Sequence, residues 1–208
     1  MPDPLNAVVD ISHHNGNIDL QQAKGDGIIG VIHKATQGSS GLDPMYVTNR
    51  AKAQAAGLLW GAYHFATGGD GVAQAQHFLD TVGDLQNTLL VLDFEQNPAG
   101  PSMSLDDARA FVTHVNAVTG RFPGFYSGSY IKQLLGSAKD PVLAQCWLWL
   151  AEYGSTAVVP VNWPTWTMWQ YTDGAVGPDP KVVTGIGHCD RDKFNGAEDQ
   201  LRTLWLTN

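Results

Sequence analysis

Two acids, Asp93 and Glu95, follow an apolar run with a spacing that suits acid–base chemistry. Residues 89–95 read Leu-Leu-Val-Leu-Asp-Phe-Glu, which predicts a buried strand that ends in both acids. Because side chains alternate along a strand, both carboxylates share one face, with Cβ atoms about 6.6 Å apart. Repulsion and partial burial should raise the pKa of one acid, as a general acid near neutral pH requires. The alternative, two solvated acids at a strand end, fits poorly with an apolar strand.

Two further acids, Asp10 and Asp190, stand at the ends of other short apolar runs. Val8, Asp10 and Ser12 share a face of the first predicted strand, and residues 188–190 end the last one. Taken alone, Asp10 fits a role as the cap of a loop as well as it fits a role in chemistry. Its role therefore depends on how the strands are arranged.

Aromatic residues recur near the ends of the later strands. A sugar ring packs its apolar C–H face on an aromatic ring, while carboxylates and amides bind its hydroxyl groups. Any single tryptophan is more often a core residue, so the combination with the acids is what predicts a carbohydrate site. The aromatic residues that frame the acids are Tyr63, Tyr126, Trp149, Trp166, Trp169 and Tyr171.

Eight short apolar runs predict the strands that position these residues, and eight is the strand number of a closed β/α barrel. The predicted strands are 7–11, 28–33, 58–64, 89–94, 124–126, 147–151, 166–170 and 185–189. The predicted helices are 44–57, 74–82, 104–120, 130–135 and 198–206.

After the sixth strand, residues 154–164 and 172–184 are rich in Gly, Pro, Val and Asp and have no helical period. The sequence therefore predicts an α/β fold, an irregular TIM-like barrel with about five β/α units followed by three loop-connected strands. We expect residues 1–208 to form one catalytic domain. Barrel active sites lie at the C-terminal ends of the strands, and strand eight adjoins strand one, so Asp10 and Asp190 should join Asp93 and Glu95.

Composition excludes several function classes. The chain has 208 residues, 12 basic against 20 acidic side chains and a net charge of −8, with no basic cluster that would bind nucleic acid. No apolar run approaches the ~20 residues of a membrane span, and the N-terminus lacks the basic and apolar regions of a signal peptide. We expect a monomer that needs no cofactor.

Cys146 and Cys189 are too few and too far apart for a disulfide framework or a zinc site. Cys146 precedes the sixth predicted strand and Cys189 ends the eighth, so the two should lie toward opposite ends of the barrel. We predict two free thiols.

Two other functions compete with carboxylate catalysis. A metal-dependent hydrolase would use His13, His14, His33, His64 and Asp190, but adjacent His13 and His14 would point to opposite faces of a strand. A non-catalytic glycan-binding module would be expected to have lost Asp93 or Glu95, and the chain has both.

Taken together, these segments resemble the family 25 glycoside hydrolases, lysozymes (N-acetylmuramidases) with an irregular β/α barrel. The resemblance covers nearly the whole chain in the family's order. The matching segments are VVDISHHNG (8–16), IHKATQG (32–38), GAYHF (61–65), LDFE (92–95), LWLAEYG (148–154), MWQYT (168–172) and CDRDKFNG (189–196).

The resemblance implies hydrolysis of the β-1,4 bond between N-acetylmuramic acid and N-acetylglucosamine in peptidoglycan glycan strands. Glu95 would be the general acid and Asp93 the assisting carboxylate. Asp10 and Asp190 would complete the acidic floor. The implied cleft-lining residues are Lys34, Tyr63, Tyr126, Trp149 and Gln170.

Two positions depart from the family pattern, since the family often has Glu at the position of Gln37 and Asn at that of Asp192. We assign neither a catalytic role. Many members come from bacteriophage lysis cassettes, and a chain made without a signal peptide that acts on the bacterial wall would fit an endolysin. The carboxylate spacing allows a retaining, an inverting or a substrate-assisted mechanism, and an Asp-x-Glu pair favours the last.

Overall fold

The chain forms a closed barrel of strands with helices packed around it in a computed structural model, which describes residues 3–207. The strands are β1 (Leu5–Ile11), β2 (Gly30–Gln37), β3 (Gly41–Leu42), β4 (Leu59–Phe65), β5 (Leu89–Asp93), β6 (Gly124–Ser127), β7 (Leu148–Ala151), β8 (Met168–Thr172), β9 (Val182–Val183), β10 (Gly187–His188) and β11 (Asp190–Phe194). The helices are α1 (Leu20–Gly25), α2 (Tyr46–Ala56), α3 (Gly71–Val82), α4 (Leu105–Thr119), α5 (Ser129–Leu135) and α6 (Glu198–Thr207).

Eight strands close the barrel in the order β1, β2, β4, β5, β6, β7, β8 and β11, and β11 pairs with β1. Each pairing from β1 to β8 is parallel, whereas β11 is antiparallel to both of its neighbours. Helices α1 to α5 complete five β/α units, and within residues 3–207 no helix joins β7 to β8 or β8 to β11. The predicted irregular barrel is confirmed.

The eighth strand was predicted wrongly. Residues 185–189 do not form it; β9 and β10 make a separate hairpin, and β11 follows them. Gly185 and Gly187 have φ values of 86° and 93°, which interrupt the extended chain. Because β11 is antiparallel, its first residue, Asp190, lies at the C-terminal ends of the other strands. Asp190 thus reaches the predicted end of the barrel by a different path.

The helices differ from prediction mainly at their ends. Helix α1 was not predicted, and α3 begins at Gly71 because the Asp70 carboxylate accepts hydrogen bonds from the N–H groups of Val72 and Ala73. The longest helix, α4, has 15 residues. None of the helices among the described residues combines the length and apolar character needed to cross a membrane.

The core has two layers, separated by the wall of the barrel. Along β5, Leu89 and Val91 point into the barrel, while Leu90, Leu92 and Phe94 pack against the outer helices. This alternation is the one the sequence predicts for an apolar strand.

Helix α6 closes the barrel at the N-terminal ends of its strands. Its Leu201 and Trp205 join the inner layer, and a Cβ atom on Gly30 would lie 2.9 Å from the Trp205 ring. One end of the barrel is therefore filled with apolar side chains.

Both cysteines are buried and free, as predicted. Cys146 precedes β7 and Cys189 precedes the antiparallel β11, so they lie toward opposite ends of the barrel. Burial raises the pKa of the Cys189 thiol to about 12 and also raises the pKa of Cys146, which keeps both thiols protonated.

Candidate active site

The open end of the barrel holds a pocket of about 270 Å³. The nine residues to which the family resemblance assigns a catalytic or cleft-lining role all line it: Asp10, Lys34, Tyr63, Asp93, Glu95, Tyr126, Trp149, Gln170 and Asp190. Ser12, His14, Phe65 and Tyr153 complete the lining. The residues come from all eight barrel strands and the segments that follow them, so the closed barrel is what brings them together.

Strand β5 positions Asp93 and Glu95. The Phe94 N–H donates to the Tyr126 carbonyl at 2.9 Å, which continues the pairing with β6 beyond the end of the strand. Phe94 points outward and is fully buried, so the carboxylates on either side of it turn into the pocket. Asp93 is only 7% exposed, and its Oδ1 has no hydrogen-bond partner among the described residues.

The electrostatics of this pair favour retention of a proton. Burial raises the pKa of Asp93 well above its usual range, and the charge of Glu95 raises it further. Burial also raises the pKa of Glu95, and the Lys34 ammonium opposes the rise at both acids. Lys34 is held by Gln37, whose Oε1 accepts from Nζ at 2.6 Å. The pair therefore keeps a proton at a pH where two solvated carboxyls would have lost both.

Asp10 and Asp190 lie opposite each other in the β1–β11 pairing. The Gln170 Nε2 donates to Asp10 Oδ2 at 2.7 Å, and the Tyr126 hydroxyl donates to Gln170 Oε1 at 2.8 Å. Burial raises the pKa of Asp190 to about 6, and Asp173 contributes to the rise. Burial and the charges of Asp190 and Asp192 raise the pKa of Asp10 as well. The predicted cluster of four acids is thus present at the mouth.

The aromatic residues divide between the pocket and the outer layer. Trp149 is 1% exposed and meets Tyr126 edge to face at 4.8 Å, so it forms the floor rather than an open platform. The expectation that Trp166, Trp169 and Tyr171 frame the acids was wrong. All three pack in the outer layer, because Gln170 takes the inward position on β8.

Sequence reasoning missed two residues of the site. Tyr153 follows β7 and is 42% exposed in the pocket wall. Asp192 is fully buried beneath the pocket, where Trp149 Nε1 donates to its Oδ1 at 2.7 Å. Its i, i+2 spacing from Asp190 was a usable signal, but only with β11 placed at residues 190–194.

The pocket opens into a longer groove on both sides. It shares Glu95, Tyr126 and Tyr153 with a cavity of about 860 Å³, and Lys34 with one of about 360 Å³. The paired carboxylates thus lie along a groove that continues in two directions. Such a groove can hold several units of a chain-like substrate.

Three of the four histidines of the metal-site alternative are engaged in other contacts, and the fourth, His14, lines the pocket. His13 contacts Asp43 at 2.7 Å, and His33 donates from Nδ1 to the Lys34 carbonyl at 2.7 Å. His64 lies between Thr36 and Gln74. Among residues 3–207 no group of three His, Cys, Asp or Glu side chains is arranged to hold a metal ion.

A closed β/α barrel whose strand ends carry paired carboxylates with raised pKa values, in an aromatic groove, defines the class of barrel glycoside hydrolases. The model of the glycosyl hydrolases of family 25 matches residues 9–179. This chain belongs to that family and is a glycoside hydrolase.

Relatives in this family agree over the whole fold. Lysozyme M1 of Streptomyces globisporus is 33% identical, covering 94% of this chain and 70% of that protein. The N,O-diacetylmuramidase of Chalaropsis is 30% identical, covering 85% of this chain and 92% of that protein. The crystal structure of the bacterial lysozyme from Streptomyces coelicolor superposes with a TM-score of 0.84 at 33% identity, covering 99% of each chain.

Proposed function

We propose that this enzyme hydrolyses the β-1,4 bond between N-acetylmuramic acid and N-acetylglucosamine in bacterial peptidoglycan, with Glu95 as general acid and Asp93 as assisting carboxylate. The observation that carries the proposal is the Asp93 and Glu95 pair at the centre of a groove that extends on both sides. The family relatives named lysozyme and muramidase support the choice of substrate.

In the proposed reaction Glu95 transfers its proton to the glycosidic oxygen as the bond to the anomeric carbon breaks. Burial supports this role because it raises the pKa of Glu95, so this acid holds its proton to higher pH than a solvated glutamate. The departing sugar leaves as an alcohol. Glu95, now ionised, can take a proton from the water that completes hydrolysis.

Asp93 acts on the N-acetyl group of the sugar in the pocket. Its unpartnered Oδ1 is available to accept the amide N–H, which orients the acetyl oxygen toward the anomeric carbon. That oxygen forms the new bond and gives a cyclic oxazolinium, whose positive charge ionised Asp93 stabilises. Substrate-assisted glycosidases of this kind are known exceptions to the two-carboxylate scheme.

The remaining pocket residues hold the substrate. Asp10 and Asp190 supply the acidic floor, which favours the cationic transition state. Lys34 and Gln170 offer donors to sugar oxygens. Tyr63 and Tyr126 supply the aromatic walls above the Trp149 floor, and Tyr153 adds a further ring.

We also propose that one catalytic domain, residues 1–208, acts as a monomer on the bacterial cell wall. The proposed reaction needs only groups of this chain, Glu95 and Asp93 with the pocket around them, so it does not call for a second copy. The net charge of −8 makes nucleic acid a poor partner.

The test is digestion of purified peptidoglycan, followed by reduction and analysis of the new reducing ends. A muramidase gives N-acetylmuramic acid at the reducing end of its products. New N-acetylglucosamine ends would assign a glucosaminidase, and released amino groups would assign an amidase or peptidase. Either result would overturn the proposed bond specificity.

The Glu95→Gln variant, assayed on the same substrate, is the matched control for contaminating hydrolases. A chelator should leave the rate of the unmodified enzyme unchanged. Loss of activity with chelator and recovery with zinc would instead support the histidine-based alternative.

A further inference from the structure

The two buried acids Asp10 and Asp192 form a direct pair beneath the active site. Asp192 is fully buried and Asp10 is 7% exposed, and the charge of Asp192 and its hydrogen bond to Asp10 both raise the pKa of Asp10. They stand on the neighbouring strands β1 and β11, where Asp192 lies opposite Val8 and Asp10 lies opposite Asp190. The pair is therefore built into the register of the two strands that close the barrel.

A hydrogen bond between two carboxyl groups needs one proton, since two carboxylates have only acceptor atoms. Asp192 Oδ2 receives no hydrogen bond from a donor group among the described residues, whereas its Oδ1 accepts from Trp149 and Asp10 Oδ2 accepts from Gln170. Each acid thus has one neutral donor from the protein. The remaining contact is the one between the acids themselves.

The neighbouring charges do not stabilise both acids in their ionised form, so the proton is still needed. Asp190 on β11 acts on both acids and disfavours their ionisation. Arg191 lowers the pKa of Asp192, but its Nη1 donates to the Val182 carbonyl and its Nη2 to Asn6.

Other titratable groups face Asp10 from neighbouring segments. They are Tyr63 on β4, Tyr126 on β6, Tyr153 after β7 and Cys189 before β11. Burial raises the pKa of all four, so they stay neutral and supply no cation.

We propose that Asp192 is a positioning residue that shares one proton with Asp10 and so fixes Asp10 in the floor of the active site. The shared proton completes a hydrogen-bonded chain of Trp149, Asp192, Asp10, Gln170 and Tyr126. This chain joins β7, β11, β1, β8 and β6 across the barrel.

Loss of the shared proton would place two adjacent negative charges in a buried site and separate the acids. The folded protein holds this proton at a pH where the unfolded chain has released it. Stability should therefore fall as pH rises through the range in which the pair titrates. That Asp10 belongs to the floor of an active site rests on the proposed function, whereas the shared proton itself does not.

The deciding variant is Asp192→Asn. An asparagine can accept from Trp149 through its carbonyl oxygen and donate to Asp10 through its amide, so no shared proton is needed. In a scan from neutral toward alkaline pH, the melting temperature of the unmodified protein should fall, and the variant should lose most of this dependence.

The matched control is Asp190→Asn, on the same strand and facing the same acids. Asp190, with a pKa of about 6, is mostly ionised throughout this range. Its removal takes away a charge that favours protonation of the pair, so the alkaline loss of stability should persist and move to lower pH. The two variants therefore shift the curve in different ways.

An infrared measurement at about pH 8 detects the proton directly through the C=O stretch of a protonated carboxylic acid. This band should weaken in Asp192→Asn and persist in Asp190→Asn. If Asp192→Asn fails to fold, Trp149→Phe replaces it. Loss of the Trp149 donor removes a contact that lowers the pKa of Asp192, so the alkaline transition should move to higher pH.

An unchanged infrared band and an unchanged alkaline transition in Asp192→Asn would overturn the shared proton. Equal effects of the Asp190 and Asp192 variants on the band and on the transition would also overturn it. Such a result would show that only the removal of a negative charge matters. If the infrared result holds but peptidoglycan digestion gives the wrong reducing ends, the proton pair stands and the proposed function fails.

Discussion

The barrel contains two buried polar regions that differ in how their hydrogen bonds are completed. Outside the β-sheet, His64 donates from Nε2 to Gln74 Oε1 at 3.1 Å and accepts at Nδ1 from the Thr36 hydroxyl at 2.7 Å. Gln74 Nε2 also donates to the Thr67 carbonyl at 2.9 Å. At the mouth, by contrast, Asp93 Oδ1 has no hydrogen-bond partner among the described residues.

The difference separates a structural cluster from a functional one. The histidine network uses its donors and acceptors internally and is sealed between β2, β4 and α3. The acid cluster gathers groups of one sign, which favour protonation of their neighbours, and it opens into the groove. Unused hydrogen-bonding capacity beside a groove is what a substrate can complete.

The two regions also respond to pH with opposite signs. Burial lowers the pKa of His64 to about 4, so its contribution to stability is lost as pH falls from about 6.5 to about 4. Burial raises the pKa of Asp190 to about 6, so folding is favoured as pH falls over a similar range. A single pH scan of stability therefore contains both the His64 and the Asp190 contributions, and variants are needed to separate them.

The largest expected effect comes from the acid cluster. Glu95→Gln keeps shape and hydrogen bonding but removes the transferable proton, so turnover should fall by about 10²–10⁴ while glycan binding persists. Release of reducing ends measures turnover, and sedimentation with insoluble peptidoglycan measures binding. Asp93→Asn should also cripple turnover, since an amide cannot stabilise the developing cation. Near-normal turnover in Glu95→Gln would remove Glu95 from the proposed role.

How far the sequence could predict this site follows from the type of strand involved. Asp93 and Glu95 end an apolar strand, and alternation along it together with parallel closure predicts the face they share. The same reasoning placed Asp10 correctly. These positions depend on hydrophobic patterning, which a single sequence displays directly.

Strand β11 could not be predicted in the same way. It reads Asp-Arg-Asp-Lys-Phe, and its buried Arg191 and Asp192 are accommodated by hydrogen bonds to Val182 and Trp149 rather than by apolar packing. Those partners lie elsewhere in the chain, so the strand looks like an exposed segment. The reversal of its direction, and with it the burial of Asp192, depends on tertiary contacts.

The next expected effect tests the histidine network through pH. In denaturant unfolding, the free energy of unfolding should lose about 3 kcal/mol from His64 as pH falls from about 6.5 to about 4. His64→Gln removes the titrating ring, so its curve should fall less steeply over that range. The acids are common to both proteins, and their contribution cancels in the difference. Parallel curves would show that His64 does not titrate as burial dictates.

A smaller effect is expected when the network loses a partner. Gln74→Ala leaves His64 Nε2 and the Thr67 N–H without their acceptor, which should destabilise the protein by about 1–3 kcal/mol. Turnover per folded molecule should not change, because these groups do not line the pocket. Gln76→Ala, on the exposed side of the same helix, is the matched control and should stay within about 0.5 kcal/mol. Equal losses in the two variants would argue against a special role for the network.

The smallest expected effect is a change in the pH profile caused by Lys34. Its ammonium lowers the pKa of both Asp93 and Glu95 against the effect of burial, so Lys34→Met should raise both values. Glu95 would then hold its proton to higher pH, and Asp93 would ionise only at higher pH. Both limbs of the profile of kcat against pH should therefore move in the alkaline direction.

Lys34 also lines the pocket, so KM should rise in this variant whatever happens to the acids. Lys34→Arg keeps the positive charge while changing the donor geometry, so it should raise KM but leave the limbs of kcat close to their original pH. An alkaline shift in Lys34→Met alone supports electrostatic control of the acid pair by Lys34. A shift of equal size in both variants, or a shift toward acid pH, would contradict it, since burial without the opposing cation can only raise the pKa of a carboxyl group.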